Sequence, residues 1–377
     1  MSLESSLNAY GILMDMRRRR LPIDTSAFTI VELLIVIVVI GVLAAIIIIS
    51  YKGITDSAKT ATMKADVADW KHASETYKIQ HGIECPSNFV FVYGNSTLGT
   101  SDFCVAKYEM KVQGVSDGAN GYGTGSCTAE YYSTSMVAES RADGTPWVCI
   151  TPTHAVTVSQ SQTANCSDCH LMTEAEWMTI AADIMSVKYN WSGGEVGSGY
   201  ISTGHSNDNP ASGLAASIDD SNGLYGMTGG YGTTAGSNDS RVLILSSGDY
   251  IWDFSGNIWE STQVALGTLT QTSSHIGVSG DSGLNWREYT LGTLSLGNLP
   301  TVSKPNTLAS VNGLSGITGW DSSNGIGEIY ANYADTTAVA FSRGGRWNSG
   351  ASAGLLSLNM GNSATVKSTY IGFRVVK

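Results

Sequence analysis

A continuous apolar segment near the N-terminus constrains this 377-residue chain more than any other feature. Residues 28–49 read FTIVELLIVIVVIGVLAAIIII and contain a single charged side chain, Glu32. As a helix at ~1.5 Å per residue, the segment covers ~33 Å, which is enough to cross the hydrocarbon core of a bilayer. Four consecutive arginines at 17–20 precede it and predict that the N-terminal side stays in the cytoplasm. The sequence therefore predicts a membrane helix, with everything after residue 50 facing outward.

Three interpretations of this segment compete. A secretory signal has a shorter apolar core, and a plain signal anchor does not explain Glu32, because a carboxylate at membrane depth costs roughly 2.5–3.5 kcal/mol on insertion scales. Residues 27–37, AFTIVELLIVI, resemble the class III signal of type IV pilins and pseudopilins. That resemblance implies cleavage by a prepilin peptidase between Ala27 and Phe28, methylation of the new N-terminus, and pairing of Glu32 with a neighbouring pilin subunit. Ala27 departs from the Gly that the family usually has before the cut.

The pattern along the chain predicts three parts. Residues 1–27 are the leader, and residues 28–82 form a pilin-type transmembrane and stalk helix that ends near His81 and Gly82. Residues 85–377 form a head rich in Gly, Ser, Thr and Asn, with short apolar runs between turn signals, which favours an α+β fold. Within the head, Thr173 and Glu176 have the spacing of a capping box and predict a helix start.

Five strings in the head resemble, in this order, the formylglycine-generating-enzyme-like domain, a variant of the C-type lectin fold. They are FCVAKYE (103–109), HLMTEAEW (170–177), WDFSGNIWE (252–260), RGGRW (343–347) and IGFRVV (371–376). The resemblance implies a fold but not an activity. The two C-terminal cysteines of the copper enzyme are missing here, and the six histidines lack the grouping of the iron-dependent branch. We therefore expect a protein that is not an enzyme.

The end of the chain resembles the variable region of proteins that are diversified by retroelements. The resemblance rests on Gly-Gly-x-Trp, then Ala-Gly, then Gly-Phe-Arg, and it implies that a rigid lectin-type scaffold displays altered side chains on one exposed face. Carried over by position, the candidate ligand-facing residues are Arg346, Asn348, Ser349, Ala351, Ser352, Leu355, Ser357, Asn359 and Met360. The alternative is an ordinary Gly/Ser-rich loop with terminal strands.

The cysteines predict disulfides in an oxidising compartment. The candidates are Cys85, Cys104, Cys127, Cys149, Cys166 and Cys169, and the first two are the best single pair because they close a short loop. The string CSDCH at 166–170 also matches haem c attachment, and the same residues could hold zinc, but disulfides are the favoured interpretation.

A structural calcium is the one cofactor that the superfamily resemblance implies. Its ligands would be the side chains of Asp253 and Glu260 and the carbonyl groups of Gly256 and Ile258. The alternative is that Trp252 and Trp259 belong to the core and that Glu260 makes a buried hydrogen bond.

Together these observations predict a minor or tip subunit of a type IV pilus-like filament that displays a lectin-fold adhesion head. It would be anchored in the cytoplasmic membrane and then exposed at the cell surface. Its partners would be other pilin subunits, the prepilin peptidase, the membrane and a protein or glycan surface ligand. Nucleic acid is excluded, because the chain carries a net charge of −11 and phosphate binding needs a basic face. The alternative is a structural pseudopilin of a type II-like secretion system with no external ligand.

Overall fold

A computed structural model describes most of the chain. The described residues are 29–123, 126–217, 240–272, 276–289, 294–310, 314, 319–334 and 337–377, without the side chains of 47–56 and 309–310. The predicted leader, 1–27, and the predicted cleavage site at Ala27 and Phe28 lie outside these residues. The chain divides into two compact units, Met1–Ala61 and Thr62–Lys377.

Helix α1 (Ile30–His81) begins in the first unit and ends in the second. Its start is fixed locally. The Glu32 carboxylate accepts hydrogen bonds from the backbone N–H and the hydroxyl of Thr29, both at 2.8 Å, while the Thr29 hydroxyl accepts from the Glu32 backbone N–H at 3.2 Å. This reciprocal pair is a capping box that satisfies free amides at the helix start. The structure therefore gives Glu32 a local capping role.

The prediction of a membrane-anchored, pilin-type helix is wrong for the part of the chain that the structure describes. Among the described residues, no helix combines the length and the apolarity needed to cross a membrane. The predicted membrane location and pilus-subunit role, which rest on that anchor, are not supported.

The last part of α1 packs within the second unit. Val67 is buried and contacts an apolar cluster, and the Ser74 hydroxyl donates to the Ser247 carbonyl at 2.7 Å. Lys71 forms a 2.6 Å ion pair with Asp249. These contacts hold the end of α1 through both apolar packing and hydrogen bonds.

The rest of the second unit is mostly β-structure. The strands are β1 (Phe89–Val92), β2 (Phe103–Ala106), β3 (Met110–Val112), β4 (Ala138–Ser140), β5 (His170–Leu171), β6 (Val242–Ile244), β7 (Tyr250–Trp252), β8 (Trp259–Thr262), β9 (Thr270–Thr272), β10 (Ile276–Val278), β11 (Asn285–Arg287), β12 (Leu294–Leu296), β13 (Ile329–Ala331), β14 (Ala338–Arg343), β15 (Leu358–Asn362), β16 (Ile371–Phe373) and β17 (Val375–Val376). Two helices accompany them, α2 (Pro152–Ser161) and α3 (Glu174–Ser186). The predicted α+β class is corrected to mostly β, because helical periodicity is confined to these two short segments and α1.

Two larger sheets organise the strands. One has the order β1-β2-β17-β5, so the last strand lies between strands from the first part of the unit. The other follows β11-β13-β15-β14-β8-β16, with β9 also paired to β14. Its β13/β15 and β8/β16 pairs are parallel, and the other pairs are antiparallel. Strands distant in sequence are therefore neighbours. The main core lies between α3 and strands β1, β2, β6, β7 and β17, and the larger sheet contributes to a separate apolar cluster.

Two local predictions are confirmed. Thr173 and Glu176 form the predicted capping box at the start of α3. Cys85 and Cys104 form the predicted disulfide, which joins the segment after α1 to β2. Both features depend on residues close in sequence, which is why the sequence could predict them.

Candidate functional site

Five charged residues of the recognised strings form ion pairs that are buried inside the head: Glu174, Asp253, Glu260, Arg343 and Arg374. Arg343 and Glu174 have fully buried side chains and form a forked pair, with Arg343 Nε at 3.2 and 3.1 Å from the two carboxylate oxygens. The same carboxylate accepts from the hydroxyls of Thr262 at 2.6 Å and Ser303 at 2.7 Å. Arg343 Nη1 donates to the Leu356 carbonyl at 2.8 Å. This cluster joins α3, β8 and β14 at one point.

A second buried pair ties the last part of the chain to β8. Glu260 accepts from Arg374 Nη2 at 2.6 Å and from Nε at 3.1 and 3.0 Å. Arg374 also donates to the carbonyls of Ala106 and Trp252, each at 2.8 Å. Burial raises the pKa of Glu260 even though the adjacent Arg374 favours the charged form. The guanidinium group thus crosslinks three segments from inside the core.

The predicted calcium ligands do not fit a metal. Asp253 is forked to Arg241 at 2.6 and 2.7 Å, and Glu260 is held by Arg374, so each carboxylate already has a cationic partner. Among the described residues, no group of three or more His, Cys, Asp and Glu side chains could hold a metal ion. The backbone N–H of Gly256 donates to the Gly344 carbonyl at 3.1 Å, and the backbone N–H of Ile258 donates to a buried carboxylate. These residues form the interior of the fold.

Glu109 is that buried carboxylate, and it is buried like those of Glu174, Asp253 and Glu260. It accepts from Asn257 Nδ2 at 2.5 Å and from the Ile258 backbone N–H at 3.3 Å. Burial, with the nearby charge of Asp253, raises its pKa well above the usual range, and burial lowers the pKa of Lys111 to about 8. The strings at 103–109, 170–177 and 252–260 therefore each place a carboxylate in the buried interior of the head.

The segment after β14 forms an ordered loop at the surface. Gly344 and Gly345 have φ of +90° and +94°, and a Cβ at Gly345 would lie 2.6 Å from the Ala353 Cβ. The Trp347 side chain is buried, and its backbone N–H donates to the Asn257 carbonyl at 3.0 Å. Contacts of Gly345 and Trp347 therefore fix the backbone of this loop, together with the Ser349 hydroxyl, which accepts from the Arg346 backbone N–H at 3.0 Å.

The nine predicted ligand-facing residues divide into three groups. Asn348 and Ala351 are exposed. Four others are partly exposed: Arg346, Ser349, Ser352 and Asn359. The remaining three lie in the core and do not face solvent: Leu355, Ser357 and Met360. Asn359 lies on β15, opposite Tyr330 of β13, and so belongs to the sheet rather than to the loop.

Two residues outside the predicted set also belong to this surface. The Arg346 guanidinium lies 3.8 Å from the centre of the Tyr370 ring, so a planar cation is stacked on an aromatic face. The Ser352 hydroxyl donates to the Glu328 carboxylate, whose pKa is raised by its partial burial. Glu328 precedes β13, and no local sequence pattern links it to the loop. Tyr370 lies next to the Gly-Phe-Arg string, and that position was the one sequence signal that could have placed it near the loop.

The haem interpretation is wrong. Cys166 and Cys169 form a disulfide, which leaves no thiol for a thioether bond to haem or for a zinc ion. His170 Nε2 lies 2.9 Å from the Glu176 carboxylate, next to the capping box of α3. A further disulfide joins Cys127 and Cys149. The predicted disulfides are thus confirmed for all six cysteines.

No protein-family profile and no curated protein matches this sequence. Among solved structures, two variants of Major Tropism Determinant are similar to the chain at a low level. The P3c variant has 12% identity and the U1 variant 13%, each with a TM-score of 0.26 over 77% of this chain. The alignments cover 49% of those proteins, so this chain matches about half of their length. A similarity this weak establishes neither the fold nor the function of this chain.

Proposed function

We propose that the head is a lectin-type recognition domain that binds a ligand at the cell surface of a target through one exposed loop. The loop face consists of Arg346, Asn348, Ser349, Ala351, Ser352 and Tyr370. The observation that carries the proposal is that Asn348 and Ala351 are exposed between positions whose contacts fix the backbone, namely Gly345, Trp347 and Ala353.

The chemistry of the loop face suits recognition of a polar surface. Arg346 is held over Tyr370, which offers a planar cation beside an aromatic ring. Asn348 and Ser349 add short polar groups that can donate or accept hydrogen bonds. Rigid aromatic anchors combined with adaptable polar side chains are typical of paratopes, whose ligands are proteins or glycans.

The finer proposal is that this face is diversified by a retroelement. Asn348 and Ala351 are exposed, so changing their side chains leaves the core untouched. Leu355, Ser357 and Met360 are buried, so we exclude them from the variable set. The proposed function includes no catalysis, because the carboxylates of the recognised strings are engaged inside the core. The three disulfides support exposure to an oxidising compartment.

The test is a binding profile of the purified full-length chain on arrays of cell-surface glycans and proteins. The double variant Asn348→Tyr/Ala351→Tyr changes the loop face only, and Gln160→Tyr on α2 is a matched exposed control. We expect the double variant to change which array members are bound, and the control to keep the wild-type profile. Both variants should unfold at the wild-type temperature. An unchanged profile for the double variant would place the binding surface elsewhere.

A further inference from the structure

Asp183 of α3 is a buried carboxylate that has no cationic partner among the described residues. Its residue exposure is 7%, and none of the ion pairs within the described part of the chain involves it. The hydrogen bonds that it accepts there come from Ser246, whose backbone N–H lies 2.9 Å from Oδ2. The buried carboxylates of Glu174, Asp253 and Glu260 each hold an arginine instead. Burying a charge without a partner is costly, so this group needs an explanation.

The carboxylate lines a polar cavity of about 240 Å³, here called the Asp183 cavity. Its wall includes Tyr93, Thr179, Ser186 and Ser246. The Ser186 hydroxyl donates its proton to the Asp183 carbonyl at 2.7 Å, and the Thr179 hydroxyl donates to the carbonyl of Ala175 at 2.8 Å. Because these protons are engaged with backbone carbonyls, the Ser186 oxygen retains lone pairs that can accept hydrogen bonds. The Thr179 oxygen also lies 2.9 Å from the Thr100 hydroxyl and has one lone pair left. The wall is therefore rich in acceptors.

The electrostatic character of the cavity is negative. Burial raises the pKa of Tyr93, and the carboxylates of Asp102 and Asp183 raise it further. A negative potential with several acceptors favours a cation over an anion or a neutral acceptor. A calcium ion prefers six to eight oxygen ligands, usually with more than one carboxylate, and this wall has a single carboxylate. An ammonium group needs only three acceptors around one negative charge, which this wall can supply.

A second cavity of about 370 Å³ shares Ser186 and Ser246 with the first. Its wall combines the apolar side chains of Trp70, Val187 and Val196 with the charged residues Lys188 and Glu195. The two cavities therefore place apolar side chains beside the polar, negatively charged wall of the Asp183 cavity. An aliphatic chain that ends in an ammonium group has the same division of apolar and charged parts.

We propose that these adjoining cavities bind a primary alkylammonium group. The ammonium lies against the Asp183 carboxylate and the hydroxyl oxygens of the Asp183 cavity, and the aliphatic stem lies against Trp70, Val187 and Val196. Two sources have this chemistry, a free aliphatic amine and the side chain of a lysine in another protein. The site shares no residue with the loop face, so amine binding and the proposed recognition function can be tested independently of each other.

The test is calorimetric titration of the full-length chain with n-pentylamine, N-acetyl-lysine methylamide, n-pentanol and calcium chloride. We expect n-pentylamine to bind and n-pentanol, which has the same stem without the charge, not to bind. Asp183→Asn keeps an acceptor for Ser246 but removes the charge, and it should weaken amine binding about tenfold or more. The exposed Asp143→Asn is the matched control and should bind as wild type does. Comparable affinity for the lysine derivative identifies a protein lysine as a fitting source, whereas binding of n-pentylamine alone identifies a free amine.

Equal binding of n-pentylamine by wild type and Asp183→Asn would overturn the proposal, as would equal binding of n-pentanol. Displacement of the amine by calcium would also overturn it, because it would make the cavity a metal site. If Asp183→Asn does not fold, Ser186→Ala tests the same cavity and should weaken binding severalfold. Its control is Ser161→Ala on α2, where the lost hydroxyl also donates to a carbonyl of its own helix.

Discussion

Replacing Glu174 with Gln removes one charge from a pair that no water reaches. Both side chains of the Glu174–Arg343 pair are 0% exposed, and the carboxylate is forked to the guanidinium. At a charge separation of ~4 Å and an effective dielectric constant of ~20, their attraction is ~4 kcal/mol. The variant keeps the shape of the side chain but leaves Arg343 buried without a counter-charge. We therefore expect the free energy of unfolding to fall by about 3–5 kcal/mol.

The assay is urea unfolding followed by tryptophan fluorescence. Every tryptophan lies after residue 61, so the signal reports on the second unit alone. The control is Glu75→Gln, which removes a carboxylate that is 44% exposed in its pairs with Lys71 and Lys78. That change should cost less than about 1 kcal/mol.

Adding Arg343→Met to Glu174→Gln should recover part of the loss, because no buried charge then remains. A Glu174→Gln variant within about 1 kcal/mol of wild type would refute the reasoning, since the pair would then contribute no more than an exposed one. So would a double variant whose loss of stability equals the sum of the losses of the two single variants, because additive losses show no coupling between the charges.

Two other perturbations give defined expectations. Burial raises the pKa of Asp183 from 3.8 to about 6, so the folded state binds more protons than the unfolded state between these values and stability falls as pH rises through them. Asp183→Asn should remove that pH dependence. Above pH 6, its free energy of unfolding in urea should exceed that of wild type by up to about 3 kcal/mol. A difference between the two proteins that stays constant across pH 4–7 would contradict the assignment. Removing the Cys127–Cys149 disulfide, which spans 22 residues, should lower the free energy of unfolding by ~3 kcal/mol. Removing the Cys166–Cys169 disulfide, which spans three residues, should lower it by ~2 kcal/mol. The longer loop gives the larger loss because its disulfide constrains the unfolded chain more strongly. Equal or reversed losses in thermal unfolding of the paired Cys→Ser variants would count against this account.

Local patterns predicted the parts of the fold that depend on nearby residues. The capping box at Thr173 needs only a hydroxyl and a carboxylate three residues apart. The Cys85–Cys104 disulfide closes a short loop. The apolar N-terminal segment was also a local pattern, and it correctly predicted a helix but incorrectly predicted a membrane span within the described residues.

The parts that the sequence could not predict depend on distant partners. The carboxylates of Asp253 and Glu260 are suitable calcium ligands, but they form ion pairs with Arg241 and Arg374. Leu355 and Met360 follow the exposed loop in sequence, yet they lie in the core because β14 and β15 pair across the sheet. A motif names the residue types at a site, whereas the sheet order decides which of them meet.

Strand β17 has a consequence for how variation in the loop face can be tolerated. It lies between β2 and β5, with Val376 opposite Val105 and His170, and Arg374 just before it crosslinks the core. Every codon of the loop face is therefore translated before the strand that completes this sheet. A frameshift or a stop codon introduced in the loop removes β17 and its buried guanidinium together, so the head cannot close. Only in-frame changes in the loop therefore leave a head that can fold.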